Sequence, residues 1–222
     1  MIMDKLIVFE GIDNSGKTTL SKKILEILNN DLKGALDRLR QAPDNTGMIE
    51  FLSSWESRPW VWSKEPDFST EEADRLNSKD SKLSEAQREV LFLESRLRKQ
   101  HLYNSTNILL DRYLWTGVAY AKVFSPSTYE FVKVLYASPI FKKPDLMIFV
   151  DTDVKICHER EPEVSLERLN LIRDAYMATK DIVGCPVVII DGNGDVETNV
   201  GRALKPIEDL FNGIRERNPL NL

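Results

Sequence analysis

The fold of this 222-residue chain is decided by the stretch Gly11-Ile12-Asp13-Asn14-Ser15-Gly16-Lys17-Thr18. An apolar run that ends at Glu10 precedes this stretch, and a segment with helical periodicity follows it. Two glycines, a lysine and a threonine at this spacing, between a strand and a helix, form a loop that binds phosphate groups. The backbone N–H groups of such a loop and the N-terminus of the helix both attract phosphate oxygens. The sequence therefore predicts a protein that binds a nucleoside triphosphate.

The polar side chains of this phosphate-binding loop have distinct expected roles. Lys17 is expected to reach the β- and γ-phosphates and to act as a catalytic residue, while the Thr18 hydroxyl is expected to ligate Mg²⁺. We predict that the nucleotide is bound by Gly11, Asn14, Ser15, Gly16, Lys17, Thr18 and Thr19. The motif N-K-x-D, with which regulatory GTPases bind guanine, does not occur in the sequence. A GTPase switch is therefore not favoured.

Short β-rich runs alternate with longer helical patterns along the whole chain. This order predicts an α/β protein of the P-loop NTPase type, with a five-stranded parallel sheet flanked by helices. The predicted strands cover residues 5–10, 60–64, 107–111, 145–151 and 186–191. Several strands end in an acidic residue, namely Glu10, Asp111, Asp151 and Asp191. Because open parallel sheets bind ligands at the carboxyl ends of their strands, we expect these acidic residues to face one crevice.

The helical segments are predicted from capping residues and from apolar periodicity. A capping box of Ser84 and Gln87 opens a helix that runs to about His101, and a second box is formed by Ser69 and Glu72. On the helix after Ser84, one apolar face is predicted to carry Ala86, Val90, Leu93 and Leu97. Further helices are predicted after Gly16, from 165 to about 182 and from 195 to about 217. Residues 29–59 are interpreted as an insertion in a single domain of residues 1–222, with short helical fragments at 32–41 and 48–55.

Composition and charge exclude several classes of protein. The chain has 30 basic and 35 acidic residues and a formal net charge of -5, so no nucleic-acid-binding surface is expected. Its apolar runs are far shorter than the roughly 20 residues that a bilayer requires, so no membrane association is expected. The two cysteines, Cys157 and Cys185, do not have the spacing of a zinc site or of a disulfide framework. Since the chain begins without a secretory signal pattern, we expect a cytoplasmic protein.

A second group of polar residues follows the third predicted strand, in Asp111-Arg112-Tyr113. The guanidinium of an arginine binds a phosphate by its planar fork, and a carboxylate orients the water ligands of a metal ion. At a strand end beside a phosphate-binding loop, this pair predicts a site for a second anion. We therefore expect Asp111 and Arg112 to be catalytic residues, and Asp111 to contribute with Thr18 to the metal site.

Four stretches of the sequence resemble the thymidylate kinase family of nucleoside monophosphate kinases. They are Phe9-Glu10-Gly11-Ile12-Asp13, Lys64-Glu65-Pro66, Asp111-Arg112-Tyr113 with the following Thr116-Gly117-Val118-Ala119-Tyr120, and Lys143-Pro144-Asp145-Leu146. The resemblance implies the nucleoside monophosphate kinase fold and transfer of the γ-phosphoryl group of ATP, with Mg²⁺, to dTMP or a related deoxynucleoside monophosphate. The partners that it implies are small-molecule nucleotides and a second copy of the chain in a homodimer.

The resemblance also implies a set of substrate-binding residues. Asp13 would bind the 3′-hydroxyl of the acceptor, and Lys64 and Arg112 would bind its phosphate. Phe92 would stack on the pyrimidine, and Arg96, four residues later on the same helical face, would donate a hydrogen bond to an exocyclic oxygen. The remaining members of the set are Thr116 and Tyr120, and Tyr120 would press against the sugar where a 2′-hydroxyl would lie.

A lid over the transferring phosphoryl group is expected at about residues 157–167. Asn14 is neutral at a position where one branch of the family has an arginine, so a cation from the lid must supply the positive charge. We predict that this cation is Arg160, which is a catalytic residue on this interpretation, with Arg168 as the alternative. Pro162 ends the preceding helix and places Arg160 at the edge of a loop.

Two other functions remain open at the level of the sequence. A deoxynucleoside kinase on a related fold would need a carboxylate base near the 5′-hydroxyl, and Glu65 is the candidate. An ATP-binding regulatory protein would have no small acceptor. The pairs Phe92 with Arg96 and Asp111 with Arg112 weigh against this second alternative.

Overall fold

The computed structural model describes residues 4–40, 59–66 and 83–217. The strands are β1 (Leu6–Glu10), β2 (Val61–Lys64), β3 (Ile108–Asp111), β4 (Leu146–Asp151) and β5 (Val187–Asp191). They form one five-stranded sheet in which neighbouring strands are parallel. Each strand begins one residue later than predicted and ends at the predicted residue. The predicted α/β architecture is therefore confirmed.

Helices connect the strands and cover both faces of the sheet. They are α1 (Lys17–Arg40), α2 (Glu85–Arg98), α3 (Gln100–Tyr103), α4 (Leu114–Phe124), α5 (Tyr129–Ala137), α6 (Val154–Arg160), α7 (Leu166–Thr179) and α8 (Val196–Arg217). A 3₁₀ turn at Lys180–Ile182 extends α7, as the predicted end near residue 182 requires. None of the described helices is long and apolar enough to cross a membrane.

The order of the strands places the two sequence motifs side by side. The order is β2-β3-β1-β4-β5, so β1 lies at the centre of the sheet. Phe9 pairs with Asp111 on one side and with Ile148 on the other. The crossover connections lead to β2 and β3 on one side of β1 and to β4 and β5 on the other, and open α/β sheets bind ligands at such a switch point. The phosphate-binding loop and the segment after Asp111 therefore leave the sheet next to each other.

Strand β1 is buried on both faces, which fixes the start of the phosphate-binding loop. Successive side chains of a strand point to opposite faces of the sheet. Leu6 and Val8 pack with residues of α4, α5 and α7, whereas Ile7 and Phe9 pack with residues of α1 and α8. Each of these four side chains is 0% exposed. Because burying one such side chain stabilises the fold by about 1.5–3 kcal/mol, the strand end has little freedom to move.

Helix α1 is longer than the sequence predicts. It continues without a break to Arg40, so the interpretation of residues 32–41 as a separate fragment is wrong. Asn29, where the predicted insertion begins, is part of α1, and its side chain accepts from the Trp60 N–H at 3.0 Å and donates to the Trp60 carbonyl at 3.2 Å. The predicted fragment at 48–55 and the capping box of Ser69 and Glu72 lie outside the described residues.

Caps define the helices near the expected base site and lid. The capping box of Ser84 and Gln87 is present, and α2 ends at Arg98, where Lys99 joins it to the short helix α3. Helix α6 ends at Arg160, two residues before Pro162 as predicted. Ser165 caps α7 by accepting from the backbone N–H of Arg168 at 3.2 Å. The expected lid thus contains the end of α6 and a short connection to α7.

Gly117 allows a close contact between α4 and α5. A Cβ atom at this position would lie 2.3 Å from Cε2 of Tyr136, and two further atoms of the same ring would be within 3.2 Å of it. The Tyr136 side chain is 4% exposed and packs edge-on against Phe141, with ring centroids 5.2 Å apart. Only glycine permits this ring position. The glycine in the stretch 116–120 thus has a packing function.

Replacing Gly117 with alanine should destabilise the protein. The buried ring cannot move away freely, and overpacking of this kind costs about 1–3 kcal/mol. For a protein of this size we expect the melting temperature to fall by about 2–10 °C, measured by differential scanning calorimetry. Gly201→Ala is the matched control, because nothing lies within 4 Å of a Cβ atom added at this exposed position of α8. An unchanged melting temperature in Gly117→Ala would contradict the packing argument.

Candidate active site

The phosphate-binding loop has the backbone of an anion-binding turn. Gly11, Asn14 and Gly16 have φ values of 151°, 61° and 89°. A Cβ atom on Gly11 would lie 2.7 Å from Oγ of Ser15 and 2.8 Å from the Val150 carbonyl oxygen, so a larger residue does not fit. Successive residues that alternate between right- and left-handed conformations turn their N–H groups towards a common centre. This is the concave backbone that a triphosphate requires.

Lys17 is buried beside the loop and is held by it. Its side chain is 5% exposed, and its Nζ donates to the Ile12 carbonyl at 2.7 Å. Burial lowers the pKa of Lys17 to about 7, helped by the charge of Arg112, while the charges of Asp111 and Asp13 oppose the shift. An anion in contact with this amine would favour its charged form. A phosphate group bound beside Lys17 would therefore raise its pKa and keep it charged.

Thr18, on the first turn of α1, contacts Asp111 at the end of β3. The Thr18 hydroxyl donates to Oδ2 of Asp111, whose side chain is 0% exposed. The other carboxylate oxygen, Oδ1, has no hydrogen-bond partner among the residues that the structure describes. A hydroxyl oxygen and a buried carboxylate oxygen are ligands that suit a hard cation such as Mg²⁺. These residues therefore fit a metal ion at this position.

Arg112 and Tyr120 form a connected cluster with Asp13 of the phosphate-binding loop. The guanidinium of Arg112 is paired with Asp13, and the Tyr120 hydroxyl donates to Oδ2 of Asp13 at 2.8 Å. Arg112 has a φ of 69°, a conformation that is uncommon for residues other than glycine. Burial alone would raise the pKa of Asp13, but the charges of Arg112 and Lys17 and the hydrogen bond from Tyr120 lower it. The cluster thus presents a fixed positive fork beside the phosphate-binding loop.

Phe92 and Arg96 contact each other on α2 as their spacing predicts. The Arg96 guanidinium carbon lies 5.8 Å from the centre of the Phe92 ring and 5.1 Å from the centre of the Tyr136 ring. Nη1 of Arg96 also donates to the Tyr136 hydroxyl. Phe92 is partly exposed, whereas Arg96 is 2% exposed. This pair offers a flat apolar surface next to a buried cation.

Lys64 is the last residue of β2 and Glu65 follows it, and the two side chains differ in exposure. Lys64 is partly exposed, and its carbonyl accepts from Nζ of Lys99 at 3.3 Å. Glu65 is 0% exposed and accepts from the Tyr103 hydroxyl, with Nζ of Lys99 3.9 Å away. The Glu65 N–H donates to the Asp111 carbonyl at 2.9 Å, which ties this segment to β3. Glu65 is thus part of the interior and anchors the segment that carries Lys64.

Arg160 lies against the phosphate-binding loop. Its Nη1 donates to the Asn14 carbonyl at 2.7 Å, and Nδ2 of Asn14 donates to Oε2 of Glu161 at 2.7 Å. Arg168 lies over the ring of Phe124, with its guanidinium carbon 4.3 Å from the ring centre. Burial raises the pKa of Asp13, and the charge of Arg168 helps to lower it, with a smaller effect than Arg112, Lys17 or the hydrogen bond from Tyr120. The two arginines therefore approach the site from different sides.

Glu10 has a structural function that the sequence does not reveal. It is 0% exposed and accepts from the N–H groups of Tyr113 and Thr116 at 2.8 and 3.3 Å. The Thr116 hydroxyl donates to Glu10 at 2.5 Å and lies 2.6 Å from the Tyr176 hydroxyl. Burial raises the pKa of Glu10, and the hydrogen bond from Thr116 and the charge of Arg112 partly oppose this. Glu10 thus caps the N-terminus of α4 from the neighbouring strand.

The acidic residues at the strand ends do not all face one crevice, contrary to the expectation. Glu10 is bonded to α4, and Asp151 accepts two hydrogen bonds of 2.7 Å from Arg173. Asp191 forms an ion pair with Arg202 at 3.2 Å. Asp111 is the member that contacts the phosphate-binding loop. The difference arises because a strand end also neighbours the helices on each face, whose arginines and N–H groups bind the other carboxylates.

A protein-family model described as thymidylate kinase matches residues 9–200. This chain belongs to the thymidylate kinase family. A thymidylate kinase from Caenorhabditis elegans is 28% identical, and the alignment covers 92% of this chain and 94% of that protein. One from Leptospira interrogans serovar copenhageni is 29% identical, with coverage of 84% and 85%. The chain is thus a nucleoside monophosphate kinase by family.

The fold agrees with a solved member of the thymidylate kinase family. The thymidylate kinase from Candida albicans superimposes with a TM-score of 0.64 at 20% identity, and the match covers 93% of this chain and 92% of that one. At this identity the likeness concerns the fold. The parallel sheet and its flanking helices are therefore those of a nucleoside monophosphate kinase.

In this thymidylate kinase family member, most of the predicted site residues lie in two groups. Contacts among the described residues link the phosphate-binding loop to Asp111, Arg112, Tyr120 and Arg160. The second group is Phe92 with Arg96 on α2. Thr116 differs from the others, since its hydroxyl contacts Glu10 and Tyr176 in the interior, and Thr19 is exposed on the first turn of α1.

Proposed function

We propose that this protein transfers the γ-phosphoryl group of ATP to the phosphate of dTMP, which yields ADP and dTDP. The observation that carries the proposal is the cluster of Arg112, Asp13 and Tyr120 directly beside the phosphate-binding loop, in a chain of the thymidylate kinase family. A fixed guanidinium at this place suits the phosphate of an acceptor nucleotide. The geometry thus supports transfer between two bound phosphate groups.

On the donor side, the loop residues 11–18 bind the triphosphate of ATP through their N–H groups. Lys17 leaves the Ile12 carbonyl and neutralises the β- and γ-phosphates. Thr18, by its hydroxyl, and Asp111, by its buried carboxylate, are the residues that would hold Mg²⁺. The metal ion supplies charge neutralisation on the phosphate oxygens. Phosphoryl transfer needs positioning and positive charge more than covalent chemistry, so no nucleophilic side chain is required.

On the acceptor side, Arg112 and Lys64 bind the phosphate of dTMP. Asp13 accepts a hydrogen bond from the 3′-hydroxyl, and its lowered pKa keeps it ionised for this purpose. Tyr120 lies against the sugar, held by its hydrogen bond to Asp13. Phe92 and Arg96 bind the base, with the ring against its face and the guanidinium at an exocyclic oxygen.

The structure weighs against a deoxynucleoside kinase. That reaction needs a carboxylate within reach of a 5′-hydroxyl. Glu65 was the candidate, but its side chain is 0% exposed and accepts from the Tyr103 hydroxyl. The Tyr103 hydroxyl and Nζ of Lys99, 3.9 Å away, occupy this carboxylate, whereas Asp111 contacts Thr18 of the phosphate-binding loop. We therefore prefer a monophosphate as the acceptor.

A panel of acceptors with ATP and Mg²⁺ tests the proposal. We expect phosphorylation of dTMP with a kcat/KM at least about 10-fold above that of dCMP and dAMP, because an exocyclic amine in place of the base carbonyl leaves a buried donor unpaired. Thymidine should not be phosphorylated. For each acceptor, the formation of the phosphorylated product is measured by chromatography.

Two outcomes would contradict the proposal. Phosphorylation of thymidine in preference to dTMP would indicate a deoxynucleoside kinase. ATP turnover that no nucleoside monophosphate stimulates would indicate a regulatory ATP-binding protein.

Assembly and compartment are further parts of the proposal. We propose a homodimer on the resemblance to the family, and sedimentation equilibrium of the purified protein measures it. A reducing compartment such as the cytoplasm suits Cys157 and Cys185, which are free thiols, the first of them buried. The proposed ligands are nucleotides, whatever the oligomeric state or the compartment.

A further inference from the structure

Arg96 is a buried cation whose orientation must be controlled by its neighbours. It is 2% exposed, and its Nε has no hydrogen-bond partner within the part of the chain that the structure describes. Burial alone would lower the pKa of Arg96, but Tyr136, Glu65 and Glu89 raise it, so the side chain stays charged. A buried N–H group without a partner costs about 1–3 kcal/mol. A ligand atom that accepts from Arg96 removes this cost.

Tyr136 on α5 contacts Arg96 in two ways. Its ring centre lies 5.1 Å from the guanidinium carbon, and its hydroxyl accepts from Nη1. The attraction between a cation and a ring face changes little when the guanidinium rotates in its own plane. A hydrogen bond to one nitrogen does fix that rotation. The hydroxyl of Tyr136 is therefore the group that sets the direction of the remaining N–H donors.

Tyr136 is itself held by three parts of the fold. Gly117 of α4 provides the space for its ring, and Phe141 packs edge-on against it at 5.2 Å between ring centres. Nζ of Lys143 donates to the backbone carbonyl of Tyr136 at 2.7 Å. The hydroxyl thus has a fixed position relative to α4, which also carries Tyr120. Through Tyr136, the side chain of Arg96 is therefore linked to α4, the helix whose Tyr120 is on the sugar-binding side of the site.

We propose that Tyr136 is a positioning residue for base selection, which holds the guanidinium of Arg96 in the orientation that binds a pyrimidine with a carbonyl group at position 4. The inference rests on the proposed function, because it needs a pyrimidine monophosphate as the acceptor. Arginine donates hydrogen bonds and accepts none, so an oriented Arg96 accepts thymine or uracil and rejects the exocyclic amine of cytosine. Tyr136 acts through Arg96 and does not contact the substrate.

The test compares three acceptors in Tyr136→Phe, which keeps the ring and removes the hydroxyl. We expect the ratio of kcat/KM for dTMP over dCMP to fall by about 5- to 10-fold, since one hydrogen bond to a charged group controls this difference. The ratio for dTMP over dUMP should stay within about twofold of wild type, because both bases have the same carbonyl at position 4. The loss should appear in KM for dTMP, with kcat changed by less than about threefold.

A double-mutant cycle separates positioning from packing. Arg96→Met removes the cation without leaving a cavity, and it should lower the ratio of dTMP over dCMP by about 10-fold or more. Adding Tyr136→Phe to Arg96→Met should change that ratio no further. Tyr129→Phe is the matched control, because Tyr129 is on the same helix and contacts Lys122 and Lys133 instead. It should keep the wild-type ratios, and calorimetry should show that each variant is folded.

Three results would overturn the inference, and they differ from a failure of the proposed function. In the first, Arg96→Met lowers the ratio of dTMP over dCMP and Tyr136→Phe does not. In the second, the two substitutions lower it additively, which means that Tyr136 acts independently of Arg96. In the third, Arg96→Met leaves the ratio unchanged, so Arg96 does not read the base. Absence of dTMP turnover in the wild-type protein would instead refute the proposed function before any variant is made.

Discussion

Lys17→Ala is expected to abolish phosphoryl transfer while the fold stays intact. The amine donates to the Ile12 carbonyl at 2.7 Å, which places it within the loop that would hold the β- and γ-phosphates. Its charge acts on the negative charge that develops in the transition state. Removing such a contact typically lowers kcat by about 10²-fold or more. A coupled assay with saturating ATP and dTMP measures the loss.

Matched variants show whether the charge of Lys17 or its bulk is responsible. Lys17→Met fills nearly the same space without the amine, and it should be as inactive as Lys17→Ala. Lys23→Ala, on the same helix, removes an exposed lysine that pairs with Glu26, and it should keep full activity. Calorimetry should show that all three variants are folded. If Lys17→Met retained more than about a tenth of the wild-type kcat, the assignment of the phosphate-binding loop would be wrong.

The parts of the fold that could be predicted from the sequence are those with local causes. The ends of all five strands follow from apolar runs that stop at a polar residue, and the loop after Glu10 follows from its glycines. The capping box of Ser84 and Gln87 needs only residues three positions apart. Each of these signals depends on neighbours in sequence, so no tertiary information was needed.

The buried face of α2 could not be predicted from apolar periodicity. The pattern favours Ala86, Val90, Leu93 and Leu97, yet Val90 is 47% exposed and Leu91 is 3% exposed. Arg96 is also buried, at 2% exposure. A helix that presents a charged residue to the interior breaks the rule that buried positions are apolar, because its neighbours supply the hydrogen bonds and charges. Functional sites are where such exceptions are expected.

The contacts of Tyr136 and Glu10 could not be predicted from the sequence. Tyr136 lies 40 residues after Arg96 in sequence, and the packing of α5 on α4 at Gly117 brings them together. Glu10 was visible as an acidic residue at a strand end, but its partner helix begins more than 100 residues later. Long-range pairs of this kind depend on the arrangement of helices around the sheet, which periodicity does not report.

Arg160→Ala is expected to lower kcat by about 10²-fold or more, because its guanidinium supplies the positive charge that the neutral Asn14 lacks. Its Nη1 donates to the Asn14 carbonyl at 2.7 Å and would lie 3.6 Å from a Cβ atom on Gly16, so it already touches the phosphate-binding loop. The contact with the phosphoryl group tightens in the transition state, so KM for dTMP should change less than kcat. Steady-state kinetics with both substrates varied measure the two effects.

Control variants compare Arg160 with the other cations near the lid. Lys155→Ala removes an exposed lysine from the same helix and should leave kcat unchanged. Arg173 is bound to Asp151 by two hydrogen bonds of 2.7 Å and is not free to reach the phosphoryl group. Arg168→Ala should have a smaller effect on kcat than Arg160→Ala, because Arg168 lies over the Phe124 ring at 4.3 Å.

Two other kinetic results would change the role of Arg160 or assign the catalytic charge of the lid to Arg168. If Arg160→Ala changed only KM for ATP, Arg160 would be a nucleotide-binding residue and would not act on the transferring group. If Arg160→Ala were fully active and Arg168→Ala lost kcat, the catalytic cation would be Arg168, which already acts on Asp13 through its charge. The expected result follows from position: Arg160 contacts the loop that holds the donor phosphates, whereas Arg168 influences the residue that binds the acceptor sugar. A charge that stabilises the transferring group must lie where the donor phosphate ends, and Arg160 meets that condition.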